Sequence, residues 1–536
     1  MKKLFALAVS TLFILTGCAT GTEFGEVSSA IKDSQEMQTE ETQAESDSTQ
    51  AFLEYECDSP DVDDYGRLND ELWQSYWPDC PVDKTSPTKA LPLVELSTDA
   101  EACKVEDVSI PRQKYDSIAV GFPLLTKPWV RKAGTYKVLV VPIEFADVSG
   151  TYEVASYLQP QIDKFNAFYE NFSRGQLAFD WVVYEEWITL PKNSTDFPQD
   201  EELSSQTHSA EHTAQKGDFY DVVIEVTDPI VDYSDADIVF FMLPTKKLPF
   251  IEFNINQGEG WYKGGPGGIE TEEGKLWAVY AYGEGRAYNE FKDGVWVWWV
   301  HEVGHEFGLP DINWHSVTFR NYETIVGGSV SDYDIMAAWM GPDRILSTWS
   351  MFTMGWLPDS EVHCATPDTF VEGAYELFPA SANTGQLSSL MFKLSETEML
   401  VVESRRLSEF ALDEAEDWRA RQGVLVYHID TTLGHGENFM TLLAPEGRKH
   451  VYIETPKNGI QANLDAILYE GNSISVAGLR IEVNSATSDR DMVSISKDAS
   501  AVGTSNAICI TPENADFSEF ERWYCPLEVT DFGSQD

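Results

Sequence analysis

Residues 301–311 read His301-Glu302-Val303-Gly304-His305-Glu306-Phe307-Gly308-Leu309-Pro310-Asp311, directly after the apolar run Val295-Trp296-Val297-Trp298-Trp299-Val300. No other stretch restricts the fold as strongly. On a helix, residues four apart share a face, so the imidazoles of His301 and His305 reach one point. A helix apolar on nearly all its other sides must be buried, which holds the pair rigidly. Zinc suits such a site, because it takes nitrogen and oxygen ligands in a tetrahedron. Glu302, one position on, falls beside the ion rather than on it, where a carboxylate takes a proton from water. Gly308 readily adopts the left-handed conformation that ends a helix and turns the chain. That turn brings Asp311 round as a third ligand and leaves a fourth zinc position open, as catalysis requires. The competing reading is a core helix with two satisfied histidines, or a structural metal.

HExxHxxGxxD is similar to the metzincin signature, with Asp in place of the third His. Asp334-Ile335-Met336-Ala337-Ala338 resembles the methionine-containing turn found beneath the zinc of metzincins, with Met336 as the structural methionine. Val140–Asp147, Gly308–Asp311, Leu346–Leu357, Leu400–Arg406 and Gly423–Asp430 resemble the immune inhibitor A family of bacterial secreted metallopeptidases. The resemblance runs over about residues 137–497 and is strongest at 294–357. It implies an endopeptidase with one catalytic zinc held by His301, His305 and Asp311, Glu302 as general base, and often structural calcium. The implied architecture is an α+β metzincin-like catalytic domain, a mixed sheet with an active-site helix, followed by a β-rich sandwich-like domain. The chain departs from the family where a Tyr-Asp-like pair commonly follows the Asp; here Ile312-Asn313-Trp314-His315 stands. A Tyr two residues past the turn methionine is replaced by Ala338, which leaves the oxyanion stabiliser unassigned. His315 is a rival third ligand, and Met340 a weaker competitor for the turn methionine.

The N-terminus bears on destination. Lys2 and Lys3 precede an apolar run, Leu4 to Leu15, too short to span a bilayer. Leu15-Thr16-Gly17-Cys18 resembles a bacterial lipobox, so 1–18 reads as a lipoprotein signal peptide with Cys18 as the acylated residue. Ala19 is not the Asp associated with inner-membrane retention, which favours the outer membrane in a Gram-negative cell. Residues 19–50 are polar and acidic, with Phe24 the one aromatic, and read as a disordered tether. Of seven cysteines, six remain after Cys18, an even number consistent with up to three disulfides in an exported chain. Beyond the tether the expected divisions are an N-terminal segment at 51–132, either an inhibitory pro-segment or a structural module; a catalytic domain at 133–357; a β-rich domain at 358–498; and an acidic tail at 499–536, which a Cys509–Cys525 pair would staple.

Lys and Arg number 37 against 89 Asp and Glu, a net charge of −52, which argues against nucleic acid as a partner. Three further patterns are weaker. Asp61-Val62-Asp63-Asp64-Tyr65-Gly66 opens like a calcium loop, but Tyr65 and Leu72 stand where ligands are needed. His208-Ser209-Ala210-Glu211-His212 is an inverted HxxEH set in polar surroundings that would not dry a site. His428 lies in an apolar strand and reads as a core or strand-edge residue. Apolar runs predict strands at 138–143, 177–190, 221–224, 238–241 and 276–282, a helix at 157–172, and mainly strands after 356. The expected protein is an exported monomer, lipid-anchored at the bacterial surface or outer membrane, or released. It would be a zinc endopeptidase acting on extracellular proteins and peptides. The alternative is a non-catalytic surface binding or adhesion lipoprotein that keeps a metalloprotease fold.

Overall fold

Alternation along three apolar strands decides the first half of the molecule. In the computed structural model, β1 (Gly134–Glu144) turns Val138 and Val140 to one face and Leu139, Val141 and Ile143 to the other. The structure describes residues 91–96, 99–109, 118–124, 130–197, 210–244, 268–283, 294–312, 333–337, 344–411, 422–435, 439–443, 450–455, 459–463, 466–501 and 509–510. Cys18, the tether, the 61–72 acidic turn, Cys57, Cys80, Cys525, His208, His315, Ala338 and Met340 lie outside these residues.

After β1 come α1 (Val154–Phe172), β2 (Leu177–Val183), β3 (Ile188–Thr189), α2 (Ala210–Thr227) and β4 (Ile238–Leu243). Then follow β5 (Ile269–Glu270), β6 (Lys275–Leu276), β7 (Ala278–Gly283), α3 (Trp296–Phe307) and α4 (Thr348–Met354). The sheet order is β2-β1-β4-β7, with β3 also on β1. Each of these pairings is parallel. Among the described residues this sheet is parallel where the sequence predicts a mixed one; α1 carries the chain from β1 to β2 and α2 from β3 to β4, the usual crossover of parallel pairing. The antiparallel pair β5–β6 forms a separate two-stranded ribbon. One face of the main sheet packs on α1 and α3, and the other on α2. Asp221-Val222-Val223-Ile224, expected as a strand, lies inside α2. A four-residue apolar run does not separate a strand from a turn of buried helix. Here Phe219, Tyr220 and Val223 share the core with Val239 and Phe241 of β4.

The second half is β-rich. Its strands are β8 (Val362–Ala365), β9 (Gly373–Leu377), β10 (Ser389–Lys393), β11 (Glu398–Arg405), β12 (Gly423–Asp430) and β13 (Met440–Leu442). They continue with β14 (His450–Thr455), β15 (Gly459–Asn463), β16 (Ser473–Val476), β17 (Leu479–Ala486), β18 (Asp491–Lys497) and β19 (Cys509–Ile510). A five-stranded sheet, β13-β12-β11-β10-β8, packs on the four-stranded sheet β16-β17-β18-β9. Leu390, Phe392, Leu400, Val402, Val424 and Val426 face that partner sheet. Met391, Met399, Val401, Leu425 and Tyr427 face the other way, into the core that holds α1, α3 and α4. The five-stranded sheet is therefore buried on both faces, which accounts for its continuous apolar runs, and the core crosses residue 357 without a break. Among the described residues no helix is long and apolar enough to cross a membrane.

The described part of 51–132 is tied to this second half. Val94 and Pro92 exchange backbone hydrogen bonds with Ala374. Cys103 forms a disulfide with Cys364. Ala100, Cys103, Val105 and Val120 lie in the core, and the Val120 carbonyl accepts from the Trp349 indole at 3.1 Å.

Candidate metal centre

Every residue of α3 is buried. Trp299 stacks on Phe240 with ring centroids 4.6 Å apart and on Trp181 at 5.5 Å, fixing the helix on the parallel sheet. Two hydroxyls grip its backbone: Tyr169 donates to the Val300 carbonyl at 2.7 Å, and Tyr280 on β7 to that of Glu302 at 3.3 Å. Gly294, at φ +100°, lets the chain enter where any Cβ would collide with Gln161, whose side-chain oxygen accepts from the Trp296 amide at 3.2 Å. Gly308 ends the helix at φ +103°, a left-handed position open to glycine. The Leu309 amide then reaches back to the Gly304 carbonyl at 3.0 Å.

This turn brings Asp311 to the two histidines. His301 Nε2 and His305 Nε2 are 3.2 Å apart, and Asp311 Oδ1 is 3.3 Å from the first and 3.4 Å from the second. A tetrahedral ion with bonds of about 2.0–2.1 Å has ligand–ligand edges of about 3.3–3.4 Å. The donor chemistry and the spacing both fit zinc. The Nδ1 atoms face carbonyl oxygens, Ile335 for His301 and Leu309 for His305, each at 2.8 Å. A carbonyl only accepts, so Nδ1 carries a hydrogen in each ring and Nε2 is the atom left to bind a metal. Glu302 is buried, and its carboxylate lies within 4.8 Å of the ligand atoms of both histidines.

Met336 lies beneath the helix. A Cβ on Gly304 would meet its sulfur at 2.9 Å, so glycine at 304 is what admits it. The Asp334 carboxylate holds the turn, accepting from the amides of Met336 and Ser347 at 2.8 Å each and from the Ser350 hydroxyl at 3.1 Å. Burial pushes this carboxyl up from its ordinary range; the Met336 and Ser347 amides, the Ser347 side chain and the nearby Arg405 oppose that. The Met336 carbonyl accepts from the Ile312 amide at 3.2 Å, joining the turn to the residue after Asp311.

A buried network from the β-rich half supports this turn. Arg405 donates to the Tyr333 carbonyl at 2.7 Å and pairs with Glu403. Glu403 Oε2 also accepts from the Thr348 amide at 2.7 Å and the Tyr427 hydroxyl at 3.0 Å. The stretches Leu400–Arg406 and Gly423–Asp430 thus act at the centre from a distance.

For the protein before it takes up a cation, burial pushes the His305 imidazole down. The Asp311 carboxylate, assisted by the Glu302 charge and the Leu309 carbonyl, more than reverses this and holds it at about 9. His305 is then protonated at neutral pH, and a metal must displace that proton. Zinc uptake at pH 7 is expected to release about one proton from this residue, and progressively less as pH rises through 9. Calorimetric titrations in buffers of different ionisation enthalpy measure the number; no net release at pH 7 would contradict the arrangement.

His301, Glu302, His305, Asp311 and Met336 come together at one place. His212 lies on α2, apart from this group in the chain's topology, and His428 faces Glu398 across the β11–β12 pair at 3.3 Å. Sequence reasoning passed over His435, whose Nδ1 accepts from the Asp311 amide at 2.8 Å. Its one local signal is a histidine between Gly434 and Gly436, just past a buried strand. No protein-family model matches the chain, and no curated protein matches it.

Proposed function

We propose that this chain is an exported, lipid-anchored zinc endopeptidase that cleaves extracellular proteins. The observation that carries the reading is the triangle of His301 Nε2, His305 Nε2 and Asp311 Oδ1, with edges of 3.2–3.4 Å and the buried Glu302 carboxylate beside it. His301, His305 and Asp311 would hold a zinc ion, which when bound would supply a Lewis acid for the scissile carbonyl and make water a stronger acid. Glu302 accepts the proton of the attacking water and passes it to the amine nitrogen as the peptide bond breaks. His301 and His305 hold their Nε2 lone pairs toward the centre through their Nδ1 hydrogen bonds. β7 is the end strand of the described sheet and touches α3 through Tyr280, so an extended substrate pairing along it would pass close to the centre. The Cys103–Cys364 disulfide fits an oxidising compartment. The same disulfide and the core positions of Val105 and Val120 support reading this part of the N-terminal segment as an integral module.

Casein hydrolysis by the purified chain, with and without o-phenanthroline, tests the reading. Cleavage abolished by the chelator and restored by zinc is expected. Zinc binding without cleavage, before and after trimming of the residues preceding 91, would instead favour a surface binding protein.

A further inference from the structure

The β-rich half contributes one side chain to the rim of the centre. His435 lies on the turn that leaves β12, 124 residues beyond Asp311, and its Nδ1 accepts from the Asp311 amide at 2.8 Å. An Nδ1 that accepts bears no hydrogen, so the neutral ring carries its hydrogen on Nε2. That Nε2 stands 3.7 Å from Asp311 Oδ2, while Oδ1 of the same carboxylate faces the two ligand histidines. The ring is also edge-on to His305, with centroids 6.0 Å apart and planes at 89°. Its side chain is only 14% exposed.

Resting on the metal-centre reading above, we propose that His435 is a positioning residue for Asp311. It anchors the main chain of this ligand through Nδ1 and borders the outer carboxylate oxygen with Nε2–H, so that Oδ1 stays turned to the metal. Ligand carboxylates are commonly oriented by such outer partners. The turn carrying His435 is itself held. The Leu433 amide donates to the Asp430 carbonyl at 3.1 Å, and the Thr431 amide to that of Thr397 at 2.9 Å. The Thr431 hydroxyl donates to the Glu106 carbonyl at 2.6 Å, and Glu106 lies three residues past the disulfide-bonded Cys103. The N-terminal segment, through Thr431, thereby braces the start of the turn that carries His435.

Zinc affinity of the full chain, measured by chelator competition, separates the possibilities for His435→Ala, His435→Asn and His435→Gln. Cobalt absorption spectra and thermal melts would be recorded on the same samples. His435→Ala is expected to weaken zinc binding about 10–100-fold and to alter the cobalt spectrum without a matching loss of thermal stability. In His435→Asn the side-chain oxygen takes the place of Nδ1 and accepts from the Asp311 amide, so most of the affinity and the cobalt bands should return. Equal zinc affinity in wild type and all three variants would overturn the inference alone. Rescue by Gln and not by Asn would place the whole effect at the Nε2 position and overturn the anchoring of the Asp311 main chain through Nδ1. A wild-type chain that takes up no zinc would remove the metal centre, and this inference with it.

Discussion

Replacing Glu302 by glutamine is expected to lower the rate of peptide hydrolysis by about 10²–10⁴-fold, the usual contribution of a positioned general base. Zinc content should not change, because Glu302 lies beside the ligand triangle and not at one of its corners. Glutamine keeps the shape of the side chain in a position only 3% exposed, so the helix should stay packed. In the mechanism proposed above, what the substitution removes is the ability to take a proton from water and return it to the leaving amine. Initial rates on casein, with metal content determined on the same preparation, measure both effects. The substitution also separates the two functional readings, since a surface binding protein would keep its role in Glu302→Gln. A variant that cleaves at the wild-type rate would mean that the proton acceptor is another group.

The second large effect concerns stability. Arg405→Ala is expected to lower the unfolding free energy by about 3–5 kcal/mol, the range found when one member of a buried ion pair is removed. Arg405 and Glu403 are 2% and 1% exposed, so the stranded carboxylate has little access to water. Its remaining donors, the amide and hydroxyl of Thr348 and the Tyr427 hydroxyl, are neutral and do not replace a guanidinium. Loss of the bond to the Tyr333 carbonyl also frees the backbone just before Asp334 and Met336. Hydrolysis should therefore fall together with stability, although Arg405 is no ligand. Urea unfolding followed by intrinsic fluorescence gives the free energy. A change under about 1 kcal/mol, the size typical of an exposed pair, would mean that this network does not support the turn.

The helix of the centre was legible because its signal is local. His301 and His305 are spaced by one helical turn, the tryptophan run demands burial, and Gly308 marks the stop; all lie within fourteen residues of one another, from Val295 to Gly308. Strands such as β1, β4, β11 and β12 were legible for a similar reason, as continuous apolar runs bounded by turns. The direction of the strands was not, because parallel pairing depends on how the connections return, which periodicity does not encode. The 221–224 stretch read as a strand since four apolar residues carry too little period to choose. His435 was invisible for a different reason. Its partner is 124 residues away, and the contact exists because the five-stranded sheet is buried on both faces and delivers its β12 turn to Asp311. The Cys103–Cys364 pair spans 261 residues, and six cysteines allow 15 connectivities, so the pairing had to come from the fold.

The most direct measurement is the zinc K-edge absorption spectrum of the zinc-loaded full chain. Two imidazole nitrogens and oxygen donors at about 2.0–2.2 Å, with no sulfur, are expected from His301, His305 and Asp311. A sulfur shell near 2.3 Å, or three or more imidazoles, would contradict this ligand set and the open hydrolytic centre built on it.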